Sequence, residues 1–418
     1  MPASVDARGW VPYDAPSMRA PDSTHGPAGP RLVLFLTVFI HLVGFGIVIP
    51  LLPYYAETYG ANGATVGLLV ASFSLMQFFF TPLWGRLSDR IGRRPVLLGS
   101  LVVTGISYLV FARAESLAVL FASRILAGIA GAAISTAHAY VADTTEPSRR
   151  TQGMGLIYAA FGAGFIFGPA IGGALSRFGY SVPGYAAAGF AFVAAGLALF
   201  LLPESLTPEV RRAAAARHPL RVSPASMFRR PVIGPALLLF YLSTLCFAAM
   251  EATFAIYGER KFQLGPQEVG YLMAFVGVVA SILQAGVVGA LARRFGEGTL
   301  VRTGVFVMGA GLVGMGIAPL FSLLALAMGV VAVGSSLTGP SLAGLVSFAA
   351  GSEEQGAVLG VYSSMGSLAR AVGPLLGGLA FDHIAHASPM WIGGLVMMLS
   401  ASLAFRLPRG VAHPVPKE

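Results

Sequence analysis

The chain is predicted to be an all-α polytopic membrane protein, with twelve transmembrane helices in two pseudo-symmetric six-helix bundles around a central cavity. Three observations carry this. Hydrophobic residues make up 56% of the 418 residues and charged residues only 11%, with a mean hydropathy of +0.75; a soluble domain carries about 25% charge. Twelve apolar runs approach the ~20 residues needed to cross a bilayer core. Three sequence patterns recur at offsets of 203, 204 and 205 residues.

The same composition excludes other classes. A net charge of +9 in so apolar a chain reflects basic loops at one membrane face, so no nucleic-acid partner is expected. The single cysteine, Cys246, lies in an apolar run, and no disulfide framework, CxxC or metal-ligand spacing accompanies it. No GxxxxGK[ST] loop, HExxH or Ser/His/Asp arrangement is present. The chain is therefore not expected to be an enzyme, nor to carry a cofactor other than protons as a coupling ion.

Taken in order, residues 1–30 hold six prolines and few apolar residues and are expected to form a disordered cytoplasmic tail. The first apolar run begins near Leu32 and is expected to be a spanning helix rather than a cleaved signal. The twelve spans fall at 32–54, 64–84, 95–112, 117–142, 152–175, 184–203, 232–257, 267–292, 300–318, 321–349, 356–381 and 389–406. The long connection 204–231, with Pro208, Pro219, Pro224 and six arginines, is the linker between bundles over 31–203 and 232–407; 408–418 is a second cytoplasmic tail. With the N-terminus inside, twenty-one of the 27 basic residues fall on the cytoplasmic side and four outside. That bias orients the protein with both termini cytoplasmic. A cell (inner or plasma) membrane, a bilayer environment, a small-molecule substrate and a monomeric state are expected.

The halves repeat. Gly85-x-Leu87-x-x-Arg90-x-Gly92 returns as Gly289-x-Leu291-x-x-Arg294-x-Gly296, and Gly168-Pro169-x-x-Gly172-Gly173 returns as Gly373-Pro374-x-x-Gly377-Gly378. Val66-Gly67 returns as Val269-Gly270. Such repeats imply two parallel bundles related by an axis along the membrane normal.

These motifs give the chain a family resemblance. It resembles the major facilitator superfamily, within it the twelve-helix drug–proton antiporters related to tetracycline exporters. Gly85 to Arg94 matches that family's loop G-x-L-S/A-D-R-x-G-R-R throughout. Leu120-x-x-x-Arg124-x-x-Ala127-Gly128 resembles its fourth-helix motif, with Ala127 in place of the usual glutamine. Gly164-x-x-x-Gly168-Pro169-x-x-Gly172-Gly173 matches the fifth-helix motif associated with exporters, and Ala142 to Arg149 and Leu202-Pro203-Glu204-Ser205 look like the same branch. The resemblance implies a secondary active transporter that exports a small amphipathic or drug-like compound by proton antiport through alternating access, of the multidrug and antibiotic-resistance kind. The alternative is a proton-coupled metabolite or sugar transporter of the same fold.

Candidate site residues follow. In the charged loop, Gly85 and Gly92 permit tight turns, and Asp89 suits a helix N-terminus. The resemblance implies that this partner is the helix starting near Gln355, in the other half, while Arg90, Arg93 or Arg94 pairs with Asp143. These contacts would latch the cytoplasmic side; the competing reading makes the arginines topology signals only.

Ionisable residues inside spans are functional candidates. Glu251 is the one acid well within a helix, on a stripe with Thr244, Phe247 and Phe254. It fits a proton carrier, or a fixed counter-charge for a cationic substrate or a buried arginine. Arg124 shares a stripe with Gly128, Gly131, Ser135 and His138 and is expected to face the cavity, to balance Glu251 or hold an anion. Arg370 is a second such cation or a local ligand for carbonyls freed at Pro374. His41 stands where tetracycline exporters carry an aspartate; it could carry a proton or be structural. Gln77 and Gln284 are candidate polar contacts to substrate. The glycines of the two Gly-Pro motifs favour close helix packing and a seal between the halves.

Overall fold

The computed structural model describes residues 28–145, 150–206, 224–350 and 354–408. The expected tails and the middle of the expected linker lie outside these residues. All regular structure among the described residues is helical. The N-terminal half comprises α1 (Ala28–Val48), α2 (Leu52–Glu57), α3 (Gly63–Ile91), α4 (Arg93–Ala112), α5 (Leu117–Ile129), α6 (Ala133–Thr144), α7 (Arg150–Ser176) and α8 (Ser181–Leu201). After the short α9 (Pro224–Phe228), the second half comprises α10 (Ile233–Phe262), α11 (Pro266–Ile282), α12 (Val288–Phe295), α13 (Glu297–Ile317), α14 (Phe321–Ala349), α15 (Gln355–His383) and α16 (Ser388–Ala404). Among the described residues nine helical stretches are long and apolar enough to cross a membrane. Two shorter apolar ones, Leu32–Val48 and Ser388–Ala404, belong to α1 and α16.

Each predicted span has a helical counterpart, but three are not single helices. The first run ends at Val48 and resumes as α2, because Pro50 cannot donate an intrahelical bond. The fourth breaks between Ile129 and Ala133, around Gly131. The eighth passes through a wide turn over Leu283–Val287 before continuing as α12.

The charged loop shrinks to one residue. Gly92 joins α3 to α4 with φ +114°, and its repeat partner Gly296 joins α12 to α13 with φ +81°. Both lie where a side chain is strained. The loop marks what we call the basic end of the bundle; α3 and α11 start, and α7 and α15 finish, at the far end.

The halves meet along two seams, α3 on α15 and α7 on α11, and the repeats explain both. A methyl group on Gly67 would strike the Pro374 carbonyl; one on Gly270 would strike the Pro169 carbonyl. The Val-Gly pair of each half is thus pressed against the Gly-Pro motif of the other. Within α7 the motif has two faces. Gly164, Gly168 and Gly172 lie against α1 at Leu42, Gly46 and Ile47, whereas Pro169 and Gly173 meet α11. In α15, Gly373 and Gly377 lie against α10 at Leu245 and Ala249, whereas Pro374 and Gly378 meet α3. One face builds each bundle and the other joins the two, which is why Gly is needed on both.

The seams close the far end. Tyr54 of α2 reaches across, its hydroxyl donating to the carbonyls of Leu264 (2.9 Å) and Ala255 (3.2 Å), inside the second half's core.

Candidate functional site

At the basic end, Arg93 is the hub. Its Nε donates to Asp143 Oδ2 at 2.9 Å, and its Nη1 lies 2.6 Å from both Asp89 Oδ1 and Ser88 Oγ. Of the three arginines named for Asp143, Arg93 therefore makes the contact; Arg94 instead donates to the Leu199 carbonyl. The expected bond between Asp89 and the start of α15 is not made. Asp89 stays with Arg93, 46% exposed, and Gln355 bonds to Ser347. The halves meet instead along the α3–α15 and α7–α11 seams.

Glu204 completes the cluster and was missed as a functional group. Its carboxylate accepts from the N–H groups of Arg93 (2.9 Å) and Arg94 (3.2 Å), capping α4, and from its own Ser205 and Leu206. A carboxylate at a helix N-terminus is favoured by the unpaired amides and the helix dipole. The signal was present in the Pro203-Glu204-Ser205 run, read only as a family mark.

In the second half, Glu251 is half-buried in α10, which packs along α15, the helix that carries Arg370. Arg370 is exposed although it sits mid-helix, as expected of a cation that faces a water-filled space. Thr244 and Phe247 are half-buried on the same helix, Phe247 packed against the core. Phe254 corrects the predicted stripe. It is 0% exposed within the second half's core, so it cannot line an open cavity. The spacing places it on one face with Glu251, but at Phe254 that face passes under neighbouring helices. Gln284 is exposed on the wide turn after α11, a kind of helix irregularity that recurs at functional sites.

In the first half the expectations change more. Arg124 does not face the cavity or reach Glu251. It is 4% exposed, with its guanidinium 5.3 Å from the Phe111 ring centre and 5.7 Å from that of Tyr108, and Nε 3.4 Å from Ser123 Oγ. The cause is its stripe: Gly128 and Gly131 admit α3 at Phe73 and Gln77, so that face turns into its own bundle. Gln77 is likewise drawn into structure. The break at Gly131 frees carbonyls that hydrocarbon cannot satisfy. Trp84 Nε1 donates to Ile129 (2.5 Å), Ser100 to Ala130, and Gln77 makes a long 3.5 Å contact to Gly131. His41 is buried in α1, and its Nδ1 has no hydrogen-bond partner among the described residues. A buried imidazole left open on one side is costly unless something completes it.

The far end carries three contacts between halves that the sequence reading did not single out. They are the Tyr54 hydroxyl, the Glu57 carboxylate with Arg260 Nη2 at 3.3 Å, and Asp382 on the first amides of α3. Their residues lie at helix ends, where acids and tyrosines are common and spacing gives no signal.

The comparisons with known proteins agree with this geometry. The Major Facilitator Superfamily model matches residues 34–374 and 262–418. Multidrug resistance protein 2 of Bacillus subtilis (strain 168) is 30% identical over 380 residues, covering 89% of this chain and 93% of that protein. Tetracycline resistance protein, class C, of Escherichia coli is 32% identical over 380 residues, with the same coverages of 89% and 93%. The crystal structure of the human organic anion transporter MFSD10 (TETRAN) superposes with a TM-score of 0.69 at 26% identity, covering 90% of this chain and 100% of that one. The chain is a multi-pass membrane transporter of the Major Facilitator Superfamily, a secondary transporter related to drug and tetracycline efflux proteins, and not an enzyme.

Proposed function

We propose that the protein exports a small amphipathic or drug-like compound in exchange for protons, by alternating access in a cell membrane, with the basic end and both termini cytoplasmic. The single observation that carries this is the placement of Glu251: an acid inside a span, half-buried, on a helix packed against the one that carries Arg370. A carboxylate there is neutralised by a proton or by Arg370, and cargo and proton compete for the same charge balance. Protonation alters the field at Arg370 and so the relative stability of the two access states. The relatives named for multidrug and tetracycline resistance support the class of cargo. The exposed guanidinium of Arg370 favours one alternative, an anionic metabolite as cargo.

The test is drug uptake into everted vesicles under an imposed proton gradient. Glu251→Gln is expected to remove gradient-driven transport while leaving the protein inserted and folded. Antiport at the wild-type rate in that variant would end the assignment.

A further inference from the structure

The two seams of the far end are built from one repeat, yet they differ at the rim. An α-helix begins with unpaired N–H groups, and in α3 those of Gly63, Ala64 and Thr65 are all satisfied. Asn62 takes one: its side chain accepts from Thr65 N–H at 2.9 Å, while its carbonyl starts the helix's own ladder with Val66 N–H at 2.9 Å. The other two are taken from the opposite half. Asp382, at the end of α15, accepts from Gly63 N–H through Oδ1 at 2.9 Å and from Ala64 N–H through Oδ2 at 2.7 Å. Backbone contact delivers it: a methyl group on Gly63 would meet Asp382 Oδ1 at 2.7 Å, and one on Gly378 would strike the Gly63 carbonyl.

The equivalent place on the other seam has no such cap. By the repeat offset of 205, the counterpart of Asp382 is Arg177; by the offset of 203, the counterparts of Gly63 and Ala64 are Pro266 and Gln267. Arginine has no acceptor, and proline has no N–H. There α11 is capped inside its own half, Glu268 accepting from Gly265 N–H at 2.9 Å. The seam is left with a cleft of about 240 Å³ between Arg177, Tyr180, Gln267 and Glu268.

We infer that Asp382 is the latch of the far-end gate, a positioning residue that holds this side shut by capping α3 from the other half. This rests on the alternating-access reading, in which the far end opens. Opening must carry α15 away from α3 and leave two amides to water, whereas among the described residues the α7–α11 seam gives up no bond of this kind. The acid is confined to one seam, so the two seams release unequally.

The experiment uses the full chain in lipid nanodiscs, spin-labelled at Glu115→Cys and Leu320→Cys, which lie exposed on opposite halves of the far end; the native Cys246 is buried. Distance distributions report the fraction with the far end open. Asp382→Ala is expected to raise the open-to-closed ratio by about ten-fold, as befits the loss of two charge-assisted bonds to a helix N-terminus. Asp382→Asn, which keeps one acceptor oxygen, is expected to fall between. Melting temperature is read alongside, because a residue of merely structural importance would lower it without moving the distances. Unchanged distances in both variants overturn the latch while leaving alternating access intact. A wild-type chain whose far end never opens, with or without drug, overturns both.

Discussion

The Glu57 contact is expected to make the far end sensitive to pH. Glu57 sits on α2 of one half, 21% exposed, with Arg260 Nη2 of the other half at 3.3 Å. Burial, then a hydrogen bond and charge repulsion from Glu259, push its carboxyl from an ordinary 4.5 up to about 7, against the pull of Arg260. Tyr54 on the same helix and Tyr180 at the start of α8 complete the polar surroundings. Two carboxyls that share a hydrogen bond hold one proton between them. When the far end opens, α2 and α10 part and Glu57 returns to its ordinary value. The closed state then binds the extra proton between pH 4.5 and 7. Its advantage is full below 4.5 and is lost as pH rises through about 7. The gap corresponds to roughly 3.4 kcal/mol at most. Salt-accessible Arg260 and partial exposure reduce this by about half, leaving roughly a ten-fold change in the closed-to-open ratio between pH 5 and 8. The assay is the same pair of spin labels, read in a Glu251→Gln background so that the deep acid does not titrate. Glu57→Gln, neutral at every pH, is expected to stay closed and to lose the pH dependence. If the dependence persists unchanged in Glu57→Gln, the reasoning is refuted.

Two further outcomes follow from the seams and the basic end. Gly67→Val places a branched side chain against the Pro374 carbonyl, so the far end is expected to stay open and transport to fall to background, with labelling of a far-end cysteine accelerated; efficient transport by this variant would count against a seam that must close. Arg93→Ala removes the bonds to Asp89, Asp143 and Ser88 together. It is expected to cost about 2–3 kcal/mol of the N-terminal bundle's stability, measured by thermal unfolding in detergent. Arg90→Ala, at an exposed position, is expected to change it by less than about 0.5 kcal/mol.

Much of this architecture was legible because glycine and proline have few interchangeable uses in a spanning helix. Gly67, Gly270, Pro169 and Pro374 stood out as repeats, and the structure presses them together in two matching pairs. What spacing could not tell was which side each face meets. Phe254 and Arg124 lie on the stripes predicted for them, yet both side chains turn into a bundle. The break at Gly131 gave no warning, because Ala130-Gly131-Ala132 contains no proline; it is held by Trp84, Ser100 and Gln77 from helices far away in sequence. Asp382 and Glu57 carry no signal of their own, because an acid at a helix end is ordinary where an acid inside a span is not. The repeat itself held the missing signal, since its register pairs Asp382 with Arg177, and a break in an otherwise kept repeat marks a place where the halves have different tasks.

That difference gathers on one helix. α15 packs along α10, the helix of Glu251, and carries Arg370; one turn on, Pro374 makes the seam with α3; and two turns beyond that, Asp382 caps α3. From Arg370 to Asp382 is twelve residues, about 18 Å of continuous helix at 1.5 Å per residue, with Pro374 inside it. In the first half, Arg124 is buried between two rings, where a change of cargo meets no mobile partner. Arg370 thus shares one helix with the residues that make both the apolar seam and the polar cap. The seam is apolar and backbone-tight, so it supplies a steep steric fit with no dependence on charge. The rim contacts of Asp382 and Glu57 are few and polar, so they are worth only a few kcal/mol, which is the scale on which one proton can tip the balance. Under the proposed proton antiport, coupling is therefore expected to act by rocking α15 and its bundle rather than by deforming the N-terminal half.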